Sequence, residues 1–143
     1  MERLPQTPSQ TVVPFFAYSL TAAQYGYDYN SIVNDSLLDD DIEGERIYIT
    51  GNIFDGEGNT VSDAMIELWQ ADAEGNYRIL PIAKANVGFT GFGRLGTGTN
   101  TEHRFNFKTI KPGSVNGQPP HINVILFIYA WFVTCIAHKN IFF

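Results

Sequence analysis

The amino-acid sequence predicts an all-β fold, a sandwich of short strands, and three observations carry that prediction. Several segments alternate apolar and polar residues with a period of two, the mark of a half-buried strand. Turns rich in Gly and Pro separate these segments at regular spacing. No long segment repeats its apolar residues at the helical period. Short strands joined by such turns argue for sheets packed face to face.

The first clear strand is RIYITGNIF, starting at Arg46, with Ile47, Ile49 and Ile53 on one face and Tyr48, Thr50 and Phe54 on the other. DGEGN (Asp55–Asn59) supplies residues that tolerate positive φ, so it reads as a turn. AMIELWQA (Ala64–Ala71) is a second strand, closed by the turn DAEGN. GFGRLG (Gly91–Gly96) has the spacing of a dinucleotide-binding loop, yet it runs into TGTNTEHRF and not into an amphipathic helix. It reads as a glycine-rich loop where backbones pass closely. RFNFKTI alternates again, Phe105 and Phe107 against Arg104, Asn106 and Lys108. KPG (Lys111–Gly113) turns the chain, and HINVILF (His121–Phe127) is a further strand. The sandwich core is therefore expected over 46–127. Residues 1–45 read as an N-terminal arm and an acidic connector rather than core. TPSQTVVPFFAY is an extended, Pro-punctuated segment, and NDSLLDDDIEGE is a solvated loop.

Bulk properties narrow the function. Length 143 suits one domain, and 44% hydrophobic against 17% charged residues places the chain among globular proteins. A net charge of −6 without a basic cluster makes the chain a poor candidate for phosphate-backbone binding, so no nucleic-acid partner is expected. One cysteine, Cys135, allows no internal disulfide, and MERLPQTPSQ holds no signal-peptide core. Both fit a cytoplasmic protein. From Ile122 to Ala137 only Asn123 and Thr134 are clearly polar, but this falls short of the about 20 apolar residues a spanning helix needs. A buried strand, and no membrane partner, is the expectation.

Candidate ligands for a metal are few: His103, His121, His138, Cys135, the tyrosines and scattered carboxylates. No C-x-x-C or H-E-x-x-H spacing occurs. His121, opening an apolar strand, reads as a hydrogen-bonded core residue. Trp69 reads as core.

The order of the segments carries more information. TPSQTVVPFFAY, DAMIELWQADAEGNY, GFGRLGTGT, RFNFKTIKPG and PPHINVILF follow one another over residues 7 to 127. Together they resemble the intradiol ring-cleaving dioxygenases, and in particular the α subunits of their heteromeric members. The resemblance implies a β-sandwich with an extended N-terminal arm. It also implies an α subunit working with a β partner in a hetero-oligomer. That assembly would open 3,4-dihydroxybenzoate (protocatechuate) with O₂ to give 3-carboxy-cis,cis-muconate. The cofactor so implied is ferric iron, held in the β subunit by two tyrosines and two histidines.

Carried onto this chain, the ligand set is degenerate. Tyr77 stands at the first tyrosine position, Val115 at the second, His121 at the first histidine position and Asn123 at the second. This chain is accordingly expected to bind no metal and to supply no catalytic residue. Its arm is expected to line the partner's substrate site through Thr11, Val13, Pro14 and Phe15. Val13 replaces the family's glycine and Phe15 its tyrosine, which alters that wall.

Residues 128–143 leave the family pattern. There the last strand continues as F-x-R-G and later T-R-x-Y-F, whereas here Phe127 is followed by Ile128, Tyr129, Ala130 and Trp131. Read from the second base of the Tyr129 codon, the degenerate code permits Arg-Gly and then Thr-Arg-Ile-Tyr-Phe. The expectation is a frameshift after Phe127. The tail would then be out-of-frame sequence, neither anchor nor designed strand, in a sandwich incomplete at its C-terminus and with impaired activity. Competing readings are a non-enzymatic β-sandwich interaction module and an inactive gene remnant.

Overall fold

The computed structural model describes residues 20–28, 33, 36–38, 42–77, 89–130 and 133–143. Among them one 3-10 turn, Ala22–Tyr25, precedes β1 (Arg46–Asn52), β2 (Met65–Gln70), β3 (Phe92–Gly96), β4 (Arg104–Ile110), β5 (His121–Ala130) and β6 (Val133–Phe142). Strands β1 and β4 form one sheet, and a second runs in the order β3-β2-β5-β6. Every strand pair is antiparallel.

The period-two patterns orient these strands as expected. In β1 the isoleucines at 47 and 49, and Ile53 beyond it, pack on the core, while Tyr48 and Phe54 remain 66% and 60% exposed. In β4, Phe107 and Ile110 are fully buried. In β2, Ile66, Leu68 and Gln70 are buried together on one face. Ile122 of β5 and Phe89 complete the apolar centre. Burying a side chain of this size contributes about 1.5–3 kcal/mol, so these few residues dominate the fold's stability.

A polar staple crosses that core. The buried Gln70 amide donates to the carbonyls of Ala71 and Ile110 at 3.1 and 2.9 Å, and its oxygen accepts from Thr109 Oγ1 at 2.8 Å. β2 is thereby tied to β4 with both ends of the amide satisfied, as a buried polar group requires. On the opposite face of β2, Glu67 sits opposite Arg94 in the β3 register. Arg94 donates to Glu67 Oε1 from Nε and Nη2 at 2.8 and 2.6 Å.

Two expectations need correction. GFGRLG is not a loop, because Phe92–Gly96 pairs with β2 from Trp69↔Phe92 to Met65↔Gly96. A neighbouring strand that satisfies the backbone outweighs the weak strand propensity of glycine. The close backbone passage exists at Gly91, where a Cβ would lie 2.7 Å from the Gln70 carbonyl oxygen. Second, the acidic connector is not wholly solvated: Leu37 is 1% exposed and belongs to the core. Its N–H donates to the Lys108 carbonyl at 3.1 Å, and its carbonyl accepts from the Thr90 N–H at 3.1 Å. Beyond Phe127 the chain continues as strand. β5 runs on to Ala130, and β6 pairs with it from Ala130↔Val133 to His121↔Phe142. Its Val, Thr, Ile and Phe residues favour extended pairing whatever their origin.

The N-terminal side also guards an edge. Gln24 Oε1 accepts from the Gly96 N–H at 2.8 Å while its Nε2 donates to the Gly96 carbonyl at 2.5 Å. One side-chain amide thus occupies the backbone groups of Gly96 at the end of β3, where a further strand would otherwise pair. No helix among the described residues is long and apolar enough to cross a membrane.

Candidate functional site

The outward face of β2 and the start of β5 bring together Trp69, Tyr77, His121 and Asn123. β2 and β5 pair with Trp69 opposite Asn123. The turn at Asp72–Asn76 then returns the chain so that the Tyr77 ring lies over Trp69, with centroids 5.0 Å apart and planes tilted by 50°. Asn123 Nδ2 donates to the Trp69 carbonyl and to the Tyr77 hydroxyl, both at 3.3 Å.

The histidine tautomer follows from its neighbours. His121 Nδ1 lies 2.8 Å from the Pro119 carbonyl, which can only accept, so Nδ1 carries the proton. In the neutral imidazole Nε2 is then the acceptor, and Tyr77 donates its hydroxyl to it at 3.4 Å, a long bond. A chain of donors runs from the Asn123 amide through the Tyr77 hydroxyl to His121. His121 itself is buried, as expected of a hydrogen-bonded core histidine, and the Phe142 ring stands 6.1 Å from it.

Sequence reasoning placed these side chains unevenly. Tyr77, His121 and Asn123 come together in one hydrogen-bonded cluster. Val115 lies on the neighbouring loop, bridged to Gln118, just after Ser114, whose carbonyl carbon would lie 3.0 Å from a Cβ on Gly75. Trp69, expected in the core, is 47% exposed. The signal was available: Trp69 shares parity with the charged Glu67, opposite to the buried Ile66, Leu68 and Gln70. Thr11, Val13, Pro14 and Phe15 lie outside the described residues.

The site can be tested against a metal. Two donors 3.4 Å apart could share an ion with bonds of about 2.0–2.2 Å at a roughly tetrahedral angle. The His121 Nδ1–H bond to a carbonyl is also the outer support that ligating histidines use. What fails is the number of donors. Val115 has no donor atom, and Asn123 turns its Nδ2, which cannot ligate, toward the Tyr77 hydroxyl and the Trp69 carbonyl. The described residues hold no cluster of three or more His, Cys, Asp or Glu able to hold a metal. The set does not fit a ferric ion.

The architecture is two antiparallel sheets with an aromatic, hydrogen-bonded cluster of Trp69, Tyr77, His121 and Asn123 on the outward face of β2 and β5. The family model described as "Dioxygenase" matches residues 19–138, and the chain belongs to this dioxygenase family. It is 48% identical over 125 residues to the protocatechuate 3,4-dioxygenase alpha chain of Burkholderia cepacia, covering 87% of this chain and 64% of that one. The alpha chain of the same enzyme from Pseudomonas putida is 38% identical over 133 residues, covering 89% and 65%. The Burkholderia cepacia beta chain is 37% identical over 95 residues, covering 59% and 39%. The chain thus spans just under two thirds of the alpha chains it matches. Among solved structures, the fold is shared with the dioxygenase domain of a carbohydrate-binding fusion protein from Streptomyces sp. SirexAA-E. The TM-score is 0.63 at 22% identity, over 77% of this chain and 64% of that one. An intradiol ring-cleavage dioxygenase from Tetranychus urticae gives 0.59 at 24% identity, over 81% and 59%.

Proposed function

We propose that this chain is an α-type subunit of a protocatechuate 3,4-dioxygenase. It would assemble with a β-type partner and contribute to ring opening of 3,4-dihydroxybenzoate by O₂ in the cytoplasm. The observation that carries the reading is the pairing of Tyr77 with His121, with Val115 and Asn123 at the other two ligand positions. A chain so built supports the reaction without holding the iron. The ferric ion belongs to the partner, whose own donors would keep it oxidised. Likeness to both alpha and beta chains supports a hetero-oligomer. In this reading the chain supplies scaffold and wall: Thr11, Val13, Pro14 and Phe15 border the partner's substrate, with Val13 taking room that a glycine would leave.

The test is co-expression with the Burkholderia cepacia beta chain, followed by iron content per chain and oxygen uptake with 3,4-dihydroxybenzoate. Iron is expected in the complex and not in this chain alone, with uptake dependent on both chains. Stoichiometric iron in this chain by itself would overturn the ligand argument. Failure of the two chains to copurify would overturn the partner assignment.

A further inference from the structure

We propose that Trp69, Tyr77 and His121 form a one-electron relay, which takes up an oxidising equivalent at the surface and holds it on Tyr77. Loss of an electron turns a phenol into a strong acid. A tyrosine is therefore oxidised readily only where its proton has a base to go to. His121 is such a base: its Nδ1–H is committed to the Pro119 carbonyl, which leaves the Nε2 lone pair toward the Tyr77 hydroxyl. Asn123 donates to the phenol oxygen from the other side and keeps the O–H directed at the imidazole. Trp69 provides the entry. Its ring is in contact range of Tyr77 and is 47% exposed, whereas Tyr77 is half-buried.

The steps balance with one external oxidant, an oxygen-derived radical such as a peroxyl species. It takes one electron from the Trp69 indole and becomes its anion, leaving an indole radical cation. Tyr77 returns an electron to Trp69. As it does so its O–H bond breaks and an N–H bond forms at His121 Nε2, giving a neutral tyrosyl radical beside an imidazolium. A thiol or ascorbate later supplies one electron to Tyr77, and the proton comes back from Nε2. The purpose rests on the proposed function, since a subunit beside an oxygen-activating centre meets such radicals. The chemistry needs only this chain and the oxidant, so it is tested without the partner.

The experiment is flash photolysis of the full chain with a ruthenium polypyridyl photo-oxidant and a sacrificial electron acceptor. Transient absorption separates indolyl from tyrosyl radicals, and electron paramagnetic resonance of frozen samples identifies the resting species. In the wild type, indolyl signal should convert to tyrosyl signal, more slowly in D₂O because a proton moves with the electron. Tyr77→Phe should abolish the conversion, and Trp69→Phe should remove the fast rise of tyrosyl. His121→Gln should slow conversion about tenfold, as expected for loss of a hydrogen bond to the acceptor. Tyr48→Phe, on the far sheet opposite Lys108, should change nothing. Conversion that persists in Tyr77→Phe, or that runs equally fast in His121→Gln, overturns the relay. If either variant fails to fold, the wild type decides alone, and identical rates in H₂O and D₂O refute the coupled proton step.

Discussion

Two turns in this chain share one five-residue pattern, D-x-E-G-N, at Asp55–Asn59 and Asp72–Asn76, and they fold alike. In the first, Asp55 Oδ1 accepts from the N–H groups of Glu57 and Asn59 at 2.9 and 2.8 Å. In the second, Asp72 Oδ1 accepts from Glu74 and Asn76 at 3.0 and 2.9 Å. Gly58 and Gly75 donate to the carbonyls of Asp55 and Asp72 at 3.1 Å, and both glycines sit at φ 88°. Yet their surroundings differ. A Cβ on Gly58 would meet nothing within 4 Å, whereas one on Gly75 would run into the backbone of Ser114. The Asp72 carbonyl also accepts from Gly113 N–H at 2.8 Å. Local chemistry makes both turns. Packing against the KPG loop makes only the second a fixed support, and that turn delivers Tyr77 to the site.

The largest break in this comparison is Gly75→Ala. Overpacking against backbone adds to the strain of a left-handed residue, so the loss should reach about 3 kcal/mol or more. Trp69 emission should shift as well, because Tyr77 is displaced from its ring. Gly113→Ala approaches the same contact from the other side, where a Cβ would lie 2.6 Å from Gly75 N, and should cost about 2–3 kcal/mol. Gly58→Ala carries the backbone strain alone, about 1 kcal/mol, and should leave the Trp69 emission unchanged. Equal urea midpoints for Gly58→Ala and Gly75→Ala would show that the packing difference has no energetic weight. Asp72→Ala removes two charge-assisted bonds from the supported turn and should cost about 1–2 kcal/mol.

The smallest effect is at Asp55. The backbone N–H of Asn59, and next its side-chain amide, hold the Asp55 carboxyl below its ordinary 3.8. A depressed folded-state value means the contribution is present above the unfolded pKa and lost as pH falls through the folded one. Asp55→Ala should therefore melt slightly below wild type at neutral pH, and the gap should close in strong acid. A gap that widened on acidification would reverse the sign of the argument.

The sequence by itself determined the alternating strands, the positive-φ turns and the family, because these are local. A period of two fixes which face of β1 and β4 is apolar, and D-x-E-G-N carries its own hydrogen bonds. Through the resemblance it also singled out Tyr77, His121 and Asn123, which the structure brings within hydrogen-bonding distance. Tertiary structure alone decided three things. It recruited Phe92–Gly96 into a sheet, because β2 offered backbone partners that glycine does not attract by propensity. It drew Leu37 out of an acidic run into the core, because the Lys108 carbonyl and the Thr90 N–H pair with its backbone. And it laid the Tyr77 ring on the outward-facing Trp69, because the turn at Asp72–Asn76 packs against the Ser114 backbone and returns the chain there.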